Sequence, residues 1–261
     1  VDENRHWRHV SLMDVDHPQA DRRVLWDLSS DEKYADPGNP VYRVQPDGQY
    51  LIRVQGDAIW LAGNGASPDG DRPFLDRLDL ATRKTERLFR SERDSLERFI
   101  AFTGQDDRAF LTWHQSTTSP PNAYLRTVAP ARDASAAAGE PAFASARVAV
   151  THTPDPTPAV RSIRKRLVTY KRADGVDLSA ALITPPNWTP AQGRLPTMLW
   201  AYPREFGDAD SASQITGSPN RFTTVSGYSH LFLLLSGYAI FDNPTMPIIG
   251  PGETANDTYV D

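Results

Sequence analysis

The chain has 261 residues, 39% hydrophobic and 23% charged, with a net charge of −5; these are the proportions of a globular chain long enough for one large or two smaller domains, not of a disordered one. The acidic excess and the lack of a basic stripe argue against a nucleic-acid partner. The absence of Cys rules out a disulfide framework and a thiol nucleophile, and the longest apolar run, Leu231 to Leu235, is far short of the ~20 residues that cross a bilayer.

The first stretch, "VDENRHWRHV", carries no signal-peptide core and no Met, so a processed or excised N-terminus is expected. The expected localisation is soluble, with periplasmic or secreted favoured over cytoplasmic. His6 and His9 are three apart, but no carboxylate or third His in the local sequence completes a metal site, so no metal is assigned. Residues 1–150 read as all-β. "VYRVQPDGQYLIRVQGDAIWLAG" (41–63) holds three apolar runs, separated by Asp47-Gly48 and Gly56-Asp57, as hairpin turns require. Tyr50, Ile52 and Val54 alternate with Gln49, Leu51 and Arg53, which predicts a strand with one strongly buried face. "GNGASPDG" (63–70) lacks a following Lys-Ser/Thr and is not a phosphate loop.

These pieces recur. Residues 9–27 resemble 74–90, each reading strand, polar turn, strand; 47–54 resemble 106–113, and 122–128 adds an outer strand. Their order suggests the blades of a β-propeller, with a β-sandwich as the alternative. The Ala- and Pro-rich stretch over 129–150 reads as a loose excursion, and 151–165 as an interdomain linker. His114 and His152 are assigned to blade and linker.

After the linker, "RLVTYKRADGVDLSAALITPPNW" (166–188) predicts a hairpin turning at Asp174-Gly175 and ending at Pro185-Pro186, which cannot donate ladder hydrogen bonds. "TMLWAY" (197–202) is apolar on both faces, as in a covered sheet. "SGYSHLFLLLSG" (226–237) predicts a short buried helix with Ser226 as N-cap and Gly237 as its left-handed terminus. "YAIFD" (238–242) completes a parallel β-α-β unit, and a Pro/Gly loop leads to a helix start at 256–261.

Sites in open α/β sheets form at the carboxyl ends of the strands. Here those ends carry Tyr202-Pro203-Arg204-Glu205 and Asp242-Asn243-Pro244. A phenol there can donate a hydrogen bond to a developing oxyanion without changing its own protonation; the alternative is a strand-capping Tyr beside an Arg–Glu surface pair. Arg204, Glu205 and Asn243 are candidate substrate-binding residues, Arg204 for an acidic side chain. No Gly-x-Ser-x-Gly occurs in the sequence. "GYSHL" (227–231) lacks the second Gly, and its Ser229 falls in or beside the predicted helix, where His230 is a packing residue.

The hairpin at 166–188, "LPTMLWAYPREF" (195–206) and "GYAIFDNPTMPIIGPGETAND" (237–257) together resemble the prolyl oligopeptidase family of serine peptidases, in particular its glutamyl endopeptidase branch. The likeness extends more loosely to the earlier β-rich part, including "SPPNAYLR" (119–126). The resemblance implies a partial propeller of about two blades (1–150), the linker (151–165) and the N-terminal part of an α/β-hydrolase domain (166–261), truncated before the nucleophile. It implies a serine peptidase cutting peptides after Glu, with Tyr202 as one oxyanion-hole donor, a peptide as substrate and no cofactor. In the family the Ser-Asp-His triad follows the point corresponding to Asp261. About two blades would leave apolar faces uncovered, so the chain is expected to be an inactive piece of a longer enzyme. The remainder of the polypeptide, or a complementary fragment, would be its partner. The alternatives are a noncatalytic propeller scaffold and a dipeptidyl or acylaminoacyl peptidase.

Overall fold

The computed structural model describes residues 2, 6–132, 136–251 and 254; the helix start expected at 256–261 lies outside them. The described residues are mostly β-strand. They fall into two compact units: Asp36–Arg161 with Thr216–Thr224, and Val1–Ala35 with Ser162–Ile215 and Val225–Asp261.

Turn chemistry organises the Asp36–Arg161 unit. Gly56, at φ 58, lets Gln55 pair directly with Ala58 across a two-residue loop. The strand that follows, Ala58–Gly63, pairs with Phe74–Asp79, which pairs with Thr85–Arg90; Asn39–Pro40 closes the other side. A second antiparallel sheet runs Leu96–Phe102, Ala109–Gln115, Asn122–Arg132, Phe143–Ala149. Both sheets contribute to one core. Trp60, Leu75, Leu88, Phe89, Phe110 and Val128 are buried, with Phe99 and Phe102 packed against them. The rings meet edge to face, Trp60–Phe102 at 5.5 Å and Phe89–Phe110 at 6.0 Å. Truncating such a ring to Ala costs about 3–5 kcal/mol.

The strand Ala109–Gln115 alternates, burying Phe110, Thr112 and His114. Thr112 serves a buried carboxylate. Glu97 is 0% exposed and accepts from Thr112 Oγ1 (2.6 Å), Arg126 Nε (3.0 Å), Arg126 Nη2 (2.7 Å) and Arg147 Nη1 (2.9 Å). Burial alone would raise its pKa; the Arg126 bonds and charge, with Thr112 and Arg147, outweigh that and hold it below the usual range.

Two expectations fail in this unit. Tyr50, Leu51, Ile52 and Val54 are all exposed, Tyr50 at 70%. Tyr42–Val44 and Tyr50–Ile52 form a separate two-stranded ribbon, and a ribbon has no third strand or second layer to bury a face. The stretch read as a loose excursion is strand at both ends: 129–132 and 143–149 belong to Asn122–Arg132 and Phe143–Ala149, which pair from Tyr124↔Ala149 to Arg132↔Phe143.

In the other unit, Trp7–Leu12 pairs antiparallel with Arg23–Ser29. The hairpin Arg164–Lys171/Asp177–Thr184 turns at Gly175 (φ 92), with Arg172 N donating to Val176 O at 2.9 Å. The strand stops at Thr184, where Pro185 follows. Its sheet has the order Arg164–Lys171, Asp177–Thr184, Ala239–Asp242, Thr197–Trp200. The last two strands are parallel, Thr197↔Ala239 to Trp200↔Asp242. Their connection contains a 3-10 helix, His230–Ser236. Its N-cap is Ser229, not Ser226: Ser229 Oγ accepts from Leu231 N at 3.2 Å. Gly237 ends the turn at φ 83. Leu234 is buried with Ile183 and Ile240, and Leu231 and Leu233 pack alongside. The helix is not buried all round, since Phe232 and Leu235 are exposed. Nor is Thr197–Trp200 covered on both faces. All four residues are exposed because this is the edge strand of the sheet.

Candidate active site

The two parallel strands end together. Trp200 faces Asp242, and Asn243 N donates to Trp200 O at 2.8 Å. Beyond this the chains part and pair again: Pro203–Phe206 runs parallel to Met246–Ile249, from Pro203↔Met246 to Phe206↔Ile249. The sequence reads as a Pro/Gly loop after Asp242. Prolines need not donate to a ladder when they stand at a strand's start or on an edge, as Pro203 does. Three steps along one chain match four along the other, and Asn243 takes a left-handed conformation at φ 47 in the longer arm.

Tyr202 lies in this gap, 64% exposed, its ring edge-on to Trp200 at 6.0 Å and 82°. The indole of Trp200 stacks flat on the imidazole of His230, at 4.5 Å and 9°. His230 Nε2 donates to Asp242 Oδ1 at 2.9 Å. Four side chains thus follow one another at the strand ends: Asp242, His230, Trp200, Tyr202. Arg204 and Glu205 follow on the next strand, both exposed; as neighbouring strand positions they project to opposite faces.

A cleft of about 560 Å³ opens beside the same strand ends, walled by Tyr170, Leu199, Pro203, Pro244, Met246 and Ile248. Arg172 at its margin is held by Asp174 (2.9 and 2.7 Å) and by Pro247 O (2.9 Å). The Arg172 bonds keep the Asp174 carboxyl down to about 2. The cleft suits an apolar side chain or a stretch of peptide.

Other residues singled out by sequence take structural roles. Ser229 caps a helix. His6 pairs with Asp31 at 2.9 Å and His9 faces Asp27 at 3.4 Å, so each has a carboxylate that the local sequence did not reveal. Among the described residues, no three His, Asp or Glu side chains gather closely enough to hold a metal ion. His114 is buried against Tyr124 at 5.4 Å, its pKa lowered by burial and then by Arg147; His152 is exposed. The His230–Asp242 bond was missed because its partners are twelve residues apart with no periodic relation. The available signal was an Asp ending one parallel strand and a His opening the turn that leads into it.

No family model matches the chain. It is 36% identical over 266 residues to the probable chloroplastic glutamyl endopeptidase of Oryza sativa subsp. japonica, covering 96% of this chain and 27% of the relative. It is 35% identical over 256 residues to the protein of the same name from Arabidopsis thaliana, covering 92% and 25%. The chain therefore spans about a quarter of the length of the curated relatives it matches. Among solved structures, an AtxE2 isopeptidase variant with Astexin3-dC4 bound is 12% identical with a TM-score of 0.41 over 76% of this chain and 27% of that one, a score too low to assign a fold. Among the described residues, no helix is long and apolar enough to cross a membrane. Both curated relatives carry the name glutamyl endopeptidase, and the likeness to them runs along more than nine-tenths of this chain.

Proposed function

We propose that this chain is part of a serine-type peptidase of the prolyl oligopeptidase family that cuts peptides after Glu. Residues 1–150 contribute the last propeller blades, 151–165 the linker and 166–261 the first part of an α/β-hydrolase domain. A Ser outside these 261 residues attacks the peptide carbonyl, a His takes its proton, and the Tyr202 hydroxyl donates to the oxyanion of the tetrahedral intermediate. The second donor is a backbone N–H beside the nucleophile. Arg204, Glu205 and Asn243 contact the substrate around it.

The observation that carries this reading is an exposed phenol just past the carboxyl ends of two parallel strands. The names of the two curated relatives agree with it. The test uses the longest natural polypeptide containing this sequence. It should react with a fluorophosphonate probe and release chromophore from peptides with Glu before the scissile bond faster than from those with Pro or Ala. A protein that binds peptide but takes no probe would instead be a noncatalytic scaffold.

A further inference from the structure

The geometry points to His230 and Asp242 as positioning residues that fix the Trp200 ring and, through it, the orientation of the Tyr202 phenol. The catalytic consequence rests on the oxyanion role proposed for Tyr202; the positioning itself does not.

Trp200 and Tyr202 are poorly restrained by the backbone alone. Trp200 ends an edge strand and is 37% exposed, and Tyr202 lies in the gap between two ladders. A side chain in such a place ordinarily samples several rotamers. Here the indole has a fixed plane to lie on. Trp200 and Asp242 are directly opposite in the ladder, so their side chains rise from the same sheet face. The connection between those strands brings His230 over that face. The ring lies parallel to the indole on one side and bonds the Asp242 carboxylate at its edge.

His230 is itself well anchored. It opens a 3-10 helix closed by the Ser229 cap and by Gly237. That helix is pinned to the sheet by Leu234, packed with Ile183 and Ile240. Restraint therefore runs from the core to His230, from His230 to Trp200, and from Trp200 to the edge-on Tyr202 ring. An oxyanion donor works only when aimed at the place where charge develops, and a misplacement of about 1 Å can cost ~100-fold in rate.

The experiment uses the longest natural polypeptide carrying this sequence, labelled with 3-fluorotyrosine, with the Tyr202 resonance assigned by its loss in Tyr202→Phe. His230→Ala should move the Tyr202 ¹⁹F line toward the position of a freely rotating tyrosine. It should also lower kcat about 10-fold while changing KM less than about twofold. Asp242→Ala removes the acceptor that holds the imidazole and should move both readouts in the same direction as His230→Ala, by less. His230→Phe keeps a flat ring but loses the bond, and should fall between. It carries the same test if the alanine variant does not fold. An unmoved Tyr202 line in the folded His230 variants overturns the inference, as do equal losses in all three variants that simply follow their melting temperatures. If Tyr202→Phe leaves kcat unchanged while His230 substitution still moves the line, the oxyanion reading falls and the positioning stands. If Tyr202→Phe lowers kcat and the His230 variants change neither readout, the positioning falls alone.

Discussion

Two carboxylates in this chain each hold a basic partner, in opposite surroundings. Glu97 lies in the core of the Asp36–Arg161 unit, fully enclosed, with four hydrogen bonds from three side chains. Asp242 stands at a strand end, its side chain and that of His230 each about one-fifth exposed, with the one bond between them. The first pair has no solvent to fall back on, so it acts as scaffold. The second keeps contact with water and with an exposed aromatic pair, so its value lies in orientation more than in stability.

The largest expected effect separates them directly. Glu97→Ala should cost about 3–5 kcal/mol in urea denaturation, because the Arg126 charge is then buried with no counter-charge. Asp242→Ala should cost no more than about 1 kcal/mol. Equal losses would break the comparison. Next, Tyr202→Phe should leave stability alone and lower kcat by about 10²–10³, equivalent to ~2.7–4 kcal/mol in the transition state, with KM little changed. An unchanged kcat would remove Tyr202 from the chemistry.

A smaller contrast concerns backbone tolerance. Gly65 has φ +60, and an added Cβ would fall 2.2 Å from Arg72 O. Gly65→Ala should therefore lose about 1–3 kcal/mol or more. Gly207, beside the Pro203–Phe206 strand, has open space around the same position and no positive φ; Gly207→Ala should be nearly neutral by thermal melting.

The smallest effects are in pH. His114 has a lowered folded pKa, so the unfolded chain takes up its proton first. Its contribution is complete above the ordinary value of 6.5 and is lost as pH falls through the folded pKa. Glu97 is likewise lowered from 4.5, so its contribution is complete above that value and declines in more acidic solution. Stability followed by urea midpoint from pH 7.5 to 3 should fall in two steps. His114→Phe should remove the first step and Glu97→Gln should reduce the second, the rest of which comes from other carboxylates held low, Asp174 among them; a profile unchanged by either substitution would contradict the assignment.

Local punctuation was the most readable part of the sequence. Asp174-Gly175, Gly56-Asp57 and Gly237 each require a backbone shape that few other residues provide, and each is where its turn or terminus occurs. The parallel pairing of the strands before Tyr202 and Asn243 was also legible, because two apolar runs flank one connection. Burial was not. Tyr50, Ile52 and Val54 alternate perfectly yet are exposed, since alternation specifies two faces and not whether anything covers either. Pro203 and Pro247 concealed the second parallel pair, because a proline reads as a breaker unless its ladder position is known. The association of Val1–Ala35 with residues after 162 has no local signal at all. For the site, Tyr202 could be named from its place after a strand, whereas the His230–Trp200 stack depends on how a 3-10 turn lies over a sheet.

The unequal count between the two parallel chains has one more implication. If both arms had kept step past Trp200, the ladder would run on unbroken, and the phenol would be one more rung among neighbours. Because side chains alternate, removing a single residue near Asn243 would restore that continuity and turn the side chains beyond it to the opposite face. The persistence of this opening is therefore a matter of length: a deletion there would erase it even if every side chain named above survived.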